Sequence, residues 1–537
     1  MANPFSTWPL LALLLALPTL LPLGAALSAF TRLDAQLWSH LADYVLPYVM
    51  PNTLWLLLCV SLGVSLIGTA LALLVGLFDF PGRRFFSWAL LLPLAMPAYV
   101  LATVFVGSLD YAGPVATWLR QRGIELPELR NLAGTSVVMT AVLYPYVYLV
   151  VRSSLAVQGA RLLEAARSLG CTPGQAVRRV ALPLAAPAAA AGTLLAAMET
   201  LADFGTVAAF NYDTFTSAIY KAWFSLFSID AALQLAGVLL ILVLGLLLLQ
   251  ACAFKARRVA VVADAAATPV RLRGAAAWIA CASCTLVLMF CFVAPTVQLV
   301  IWSLANLSDM DVRLATAALR SLQLGSIAAV VVTTAAVMLA YAARRAPGPL
   351  VRSATRVATL GYALPGALLA VGLYAPLAAM MASLNARWDT HFLLQGGLTL
   401  MLLAYAVRFA AVAHAPVSTG LARVRGSLDE AARQVGLTGW TLLRRVHLPQ
   451  LLPSLAVAAA LVFVDVMKEM PITLMTRPFG WDTLALRVFE STSEGQWQRA
   501  ALPSLAILLA GLIPVIWLMR QADRPRLSST ASHGPAA

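Results

Sequence analysis

LLEAARSLGCTPGQAVRRVALP, Leu162–Pro183, occurs twice in the chain. The second copy, LDEAARQVGLTGWTLLRRVHLP, runs Leu428–Pro449 at a constant offset of 266 residues. Glu164, Ala165, Ala166, Arg167, Gly170 and Thr172 recur as Glu430, Ala431, Ala432, Arg433, Gly436 and Thr438, and both copies close on Arg-Arg-Val and Leu-Pro. Each copy is a polar, arginine-bearing island between long apolar runs. An ungapped match of this density in a chain so short of charge marks two equivalent halves. The offset recurs elsewhere, where Glu199 and Asp203 map onto Asp465 and Glu469; Thr53 also opens an apolar run much as Ser321 does, 268 residues on.

The 537 residues are 61% hydrophobic and 11% charged, with a mean hydropathy of +0.84. A water-soluble domain carries roughly 25% charged residues, so this composition excludes a soluble globular chain. Apolar runs of about 20 residues are long enough to cross a hydrocarbon core. The expected fold class is an all-α polytopic membrane protein of about 12 transmembrane helices in two homologous halves. The expected crossings lie near 8–30, 53–77, 86–108, 132–153, 184–206 and 232–254, then 275–302, 320–343, 357–383, 394–414, 451–473 and 500–519. The net charge of +14 would suggest nucleic acid in a soluble protein. Here it follows from arginine clusters such as Arg83-Arg84, Arg178-Arg179, Arg344-Arg345 and Arg444-Arg445, which alternate spans place on one membrane face. By the positive-inside rule that face, both islands and both termini are expected to be cytoplasmic. The first span carries no basic residue before it and Arg32 after it; lacking the charged start of a signal peptide, it is read as a membrane helix.

Cys281-Ala-Ser-Cys284 has a CxxC form but sits mid-span without a second pair, and the five histidines never fall at metal-ligand spacing. No resident metal site is expected. A phosphate-cradling loop requires G-x-x-x-x-G-K-[ST]. Lys221, Lys255 and Lys468 follow Tyr220, Phe254 and Met467, so nothing in the chain can grip ATP in that way.

The repeated island reads as two short helices joined at a glycine elbow. Gly170 supplies a left-handed cap, and Thr172-Pro173-Gly174-Gln175 reads as an N-cap, a first-turn proline and a capping-box glutamine. The second copy keeps Thr438 but follows it with Gly439 and Thr441, so its second helix is expected to start less decisively. A charged loop that merely fixed topology would need only scattered arginines, not the same glutamate, glycine and proline at the same spacing.

Glu-Ala-Ala, a glycine four residues on and a closing Leu-Pro resemble the EAA loop of ATP-binding-cassette importer permeases. More narrowly, METLADFGTVAAF (Met198–Phe210) and MKEMPITLMTRPFGWDTLA (Met467–Ala485) resemble the fused, two-domain ferric-iron permeases. The resemblance covers about 50–300 and 320–520. It implies the type I importer fold in a bacterial inner membrane, with two copies of a separate cytoplasmic ATPase and a periplasmic substrate-binding protein as partners. Glu164, Ala165, Ala166 and Gly170, with Glu430, Ala431, Ala432 and Gly436, would be the elements that dock the ATPase. The chain itself would bind no cofactor; ATP and Mg would belong to the ATPase. The implied division is a first helix and periplasmic segment (1–48), a first permease domain (49–254), a cytoplasmic linker (255–274), a seventh helix and periplasmic segment (275–318), a second permease domain (319–520) and a disordered tail (521–537).

Glu199 and Asp203 lie four apart in an apolar span, as do Asp465 and Glu469, a spacing that puts each pair on one helix face. Ionisable groups at membrane depth face a cavity or a partner. Two readings stay open: these carboxylates line a cation's route, where Fe³⁺ favours hard oxygen ligands, or they pair with Lys468 or Arg408 or stand in water. Other cargo (thiamine, a phosphonate or a polyamine) fits the same importer class. A secondary transporter also has two six-span halves, but it has no use for two ATPase-docking loops. No Ser/His or acid/base cluster supports a membrane-embedded enzyme.

Overall fold

The computed structural model describes residues 7–31, 35–255, 270–307, 311–388 and 397–522, and no side chains at 156–165, 167, 173, 252–255 or 514–522. The side chains of Glu164 and Ala165, most of the expected linker 255–274 and nearly all of the expected tail 521–537 lie outside the described residues. Among the described residues eleven helices are long and apolar enough to cross a membrane. A further helix, Ala501–Ala522, stands at the last expected crossing. In order the spans are Trp8–Ser28, Ala35–Leu77, Ala98–Arg120, Leu132–Leu155, Gly174–Ala202, Ile229–Ala251, Ala275–Ala305, Val312–Arg345, Gly366–Trp388, Leu398–Arg423 and Gly439–Met467, then Ala501–Ala522. Helices dominate because the bilayer core offers no water to an unpaired backbone group.

The second, fourth and fifth spans pack into one bundle, and the eighth, tenth and eleventh into its repeat. Small residues set the spacing, as expected where lipid removes any hydrophobic drive between helices. A Cβ on Gly68 would stand 2.7 Å from Val147 Cβ, and one on Gly192 would stand 2.6 Å from Val147 Cα. The second and fifth spans therefore meet the fourth almost backbone to backbone at one point. The halves exchange their edges: the first span packs on the eighth and ninth, and the seventh packs on the third as well as the twelfth. Among the described residues one strand pairing occurs, Phe78–Asp79 parallel to Val270–Arg271.

Four crossings expected as unbroken helices are interrupted. The third is preceded by Arg83–Ala89 and a 3-10 turn at Leu92–Ala95, and the ninth by Pro349–Leu360 and a 3-10 turn at Gly361–Ala363. Met96 and Leu364, each before a proline, are extended at ψ 119° and 130°, because a proline ring disfavours helical geometry in the residue before it. The fifth span stops at Ala202, and a short helix restarts at Gly205–Ala209. The eleventh stops at Met467 and restarts at Pro471–Thr476. All these breaks fall at repeat-related places, so the interruption belongs to the repeated unit.

Thr53 and Ser321 do not open their helices, which begin earlier, at Leu46 and Val312. Their hydroxyls instead accept the first backbone N–H groups of two short helices beyond the breaks. Phe215 N donates to Thr53 Oγ1 at 3.3 Å, and Leu484 N donates to Ser321 Oγ at 2.8 Å.

Candidate functional site

The repeated islands fold as helical handles, one in each half. In the first, the fourth span runs on unbroken to Ser168; Gly170 follows at φ 86°, and Cys171 N donates to Ala166 O at 3.0 Å. In the second, Gly436 lies at φ 79° and Leu437 N donates to Ala432 O at 2.9 Å. Both are the long bond of a Schellman cap, which needs a left-handed residue at the elbow. Ala166 and Ala432 are buried beneath the elbows, while Ala431, Glu430 and Gly436 are exposed. Glu430 makes no hydrogen bond or ion pair among the described residues, so its charge is presented outward.

The expected weaker start of the second handle's second helix is not found. Thr438 and Thr441 form a reciprocal capping box, as Thr172 and Gln175 do at 3.1 and 3.4 Å. A threonine hydroxyl reaches the N-cap amide as well as a glutamine does.

The handles differ in a way the repeat did not announce. The tenth span ends at Arg423, and the second handle starts afresh at Gly426. Arg344 bridges the gap, donating to Leu421 O at 2.7 Å, to Val424 O at 3.1 Å and to Asp429 Oδ2 at 3.1 Å. Asp429 is buried and also stands 3.2 Å from His447 Nε2. Tyr341 adds a bond to Gly439 O at 2.8 Å. At the corresponding places the first half carries Phe78, Leu163, Ala181 and Val75, none able to make such a lock.

Between the halves lies a cavity of about 160 Å³ lined by all four expected carboxylates, Glu199, Asp203, Asp465 and Glu469. Sequence spacing alone put each pair on one helix face; the helices end between them, and each pair still meets the same cavity. Asp203 accepts Thr206 N at 2.9 Å, Thr206 Oγ1 at 3.0 Å and Val207 N at 3.4 Å. Glu469 accepts Ile472 N and Thr473 N, each at 3.1 Å. These two acids cap the short helices restarting after the breaks and satisfy amides that lipid could not.

Glu199 and Asp465 are less committed. Glu199 accepts Tyr362 Oη at 2.8 Å, a bond that joins the halves. Asp465 faces Lys468 Nζ at 3.2 Å. Arg408, expected to snorkel or pair with an acid, lies buried and donates to Leu364 O at 2.8 Å, closing the proline break of the ninth span, while its charge acts on the Glu469 carboxylate. Tyr99 also lines the cavity, its buried hydroxyl without a hydrogen-bond partner among the described residues. Four carboxylates face two cationic side chains, a formal excess of two negative charges. Such a cavity favours a small cation held by oxygen. The tyrosines were missed because an aromatic residue in an apolar run carries no sequence signal of its own. No group of three or more metal-ligating side chains occurs among the described residues.

Residues 67–261 and 332–525 each match the family described as binding-protein-dependent transport system inner membrane component. An Fe(3+)-transport system permease protein, FbpB 2, of Haemophilus influenzae is 27% identical over 480 residues, covering 88% of this chain and 89% of that one. A probable ABC transporter permease protein, y4fN, of Sinorhizobium fredii is 24% identical, covering 89% and 88%. A putative 2-aminoethylphosphonate permease, PhnV, of Salmonella typhimurium is 34% identical but covers 24% of this chain and 49% of its own length.

Proposed function

Because the chain belongs to the family of binding-protein-dependent transport system inner membrane components, we propose that it is the permease subunit that forms the membrane path of an importer for ferric iron. Each half supplies one handle. The outward-facing Glu430 and its counterpart Glu164 meet two copies of a separate ATPase, which brings the ATP and Mg; no cofactor resides in this chain and no nucleic acid is involved. A periplasmic binding protein delivers the cargo at the opposite face.

Orientation follows from charge. On the face away from the handles, Arg130 pairs with Asp110, Lys221 with Asp213, and Arg477 and Arg487 with Asp482 and Glu490. That face is thus largely neutralised. The handle face with its arginine clusters is the cytoplasmic one, and both termini lie there.

The observation that carries the cargo is the repeat-related pair Glu199 and Asp465, hard oxygen ligands offered from both halves to one small cavity. Similarity to a ferric-iron permease along both halves supports the same reading. The phosphonate relative matches only about a quarter of the chain, and an anionic phosphonate group would meet a net negative lining. Reconstitution with the ATPase and the loaded delivery protein tests the choice. ATP-driven uptake of ferric iron, with none of 2-aminoethylphosphonate or sulfate, is expected; the reverse would remove the iron reading.

A further inference from the structure

The cavity holds two cationic side chains, and they are held very differently. Arg408 is buried and tied to the carbonyl of Leu364. Lys468 pairs with Asp465 at 3.2 Å, its one ion pair among the described residues, and both side chains keep about a quarter of their surface exposed, 26% and 25%. Partly hydrated ion pairs of this kind hold only weakly. Lysine is also a compact charge on a flexible four-carbon stem, free to swing without breaking a planar fork. Its backbone sits at the C-terminal cap of Leu448–Met467, where the helix dipole favours a positive charge nearby. In the first half the equivalent residue is Ala202, so Glu199 has no such tethered cation and accepts from Tyr362 instead.

We propose that Lys468 is a built-in counter-ion that stands at Asp465 until cargo displaces it, and so bars monovalent cations from the path. This rests on the cation reading of the cavity above. An ammonium fixed to the helix is always at high local concentration. Sodium or potassium brings one charge and gains nothing in exchange for it. A trivalent ion interacts with the carboxylate three times as strongly at equal distance, and it engages Glu199 across the cavity in the same step. The lysine then moves aside with its ammonium still hydrated. A membrane whose potential drives sodium and protons inward needs such a barrier in any path lined by carboxylates.

The test uses the complete complex in proteoliposomes, with sodium flux during ATP turnover and uptake of ferric iron read in parallel. Lys468→Met, which keeps the length and loses the charge, should raise sodium flux about tenfold or more, and Lys468→Arg should hold it near the parent value. In Lys468→Met with Asp465→Asn the leak should fall back, because the site that admitted sodium is gone; a leak from loosened packing would persist. Lys468→Gln serves if the methionine variant assembles poorly. Tight vesicles with both neutral variants, or a leak unchanged by Asp465→Asn, would overturn the proposal. A parent complex that carries some other cargo but not iron would instead overturn the cargo reading, while the sodium arm still judges Lys468.

Discussion

At the scale of the residue, four acids in the membrane divide into two jobs. Asp203 and Glu469 close helix ends, whereas Glu199 and Asp465 keep acceptor capacity for the cavity. Replacing Asp203 with alanine removes a cap worth about 1 kcal/mol. Expected is a lower melting temperature of the detergent-solubilised protein with the cargo's apparent affinity little changed; an affinity loss without destabilisation would contradict that role. Glu199→Gln with Asp465→Asn should abolish uptake while the ATPase still co-purifies, and normal transport in that pair would refute a cation path through them. The acids themselves were legible, since charge in an apolar run is conspicuous. Their division of labour was not, because it depends on helix ends that hydropathy does not mark. Arg408 was legible as a residue needing a partner, but the carbonyl it takes belongs to a break 44 residues away in the chain.

At the scale of the element, the handle is the best-specified feature. Both elbows need a left-handed residue, and among the described residues a Cβ there would touch nothing within 4 Å, so the demand is conformational and not steric. Gly170→Ala or Gly436→Ala should each cost about 1–2 kcal/mol of local order, and asparagine should be tolerated better than alanine. The loss of ATPase stimulation by loaded delivery protein measures this; equal behaviour of alanine and asparagine would count against it. The second handle is further fixed by Arg344, Asp429 and His447. Asp429→Ala strands Arg344 half-buried and removes charge-assisted bonds worth about 2 kcal/mol. Proteolysis between Leu421 and Gly439 should then accelerate; an unchanged cleavage rate would count against the lock. The repeat made both handles visible from sequence, down to the glycine. Comparing the copies for what they share concealed Asp429 and His447, which only one of them has. The broken third, fifth, ninth and eleventh spans were hidden for a similar reason: a hydropathy window averages across a break of two or three residues.

At the scale of the whole molecule, two related bundles meet at one cavity, exchange their edge helices and each carry one handle. Twofold repetition explains why one cavity receives equivalent acids from each side, and the bond from Tyr362 to Glu199 shows that the halves are joined there. Fold class and number of halves followed from composition and repeat alone, while the exchange of the first and seventh spans could not, since packing partners leave no trace in hydropathy. The central claim is mechanical: a separate ATPase grips both handles and moves the halves around the cavity. Uptake of ferric iron into proteoliposomes, measured for the parent and for Glu164→Lys with Glu430→Lys, each with and without the ATPase, tests it most directly. Uptake should require ATP and the ATPase in the parent and vanish in the double variant, with the ATPase no longer co-purifying. Iron accumulation without the ATPase, or undiminished accumulation with both handle charges reversed, would contradict it.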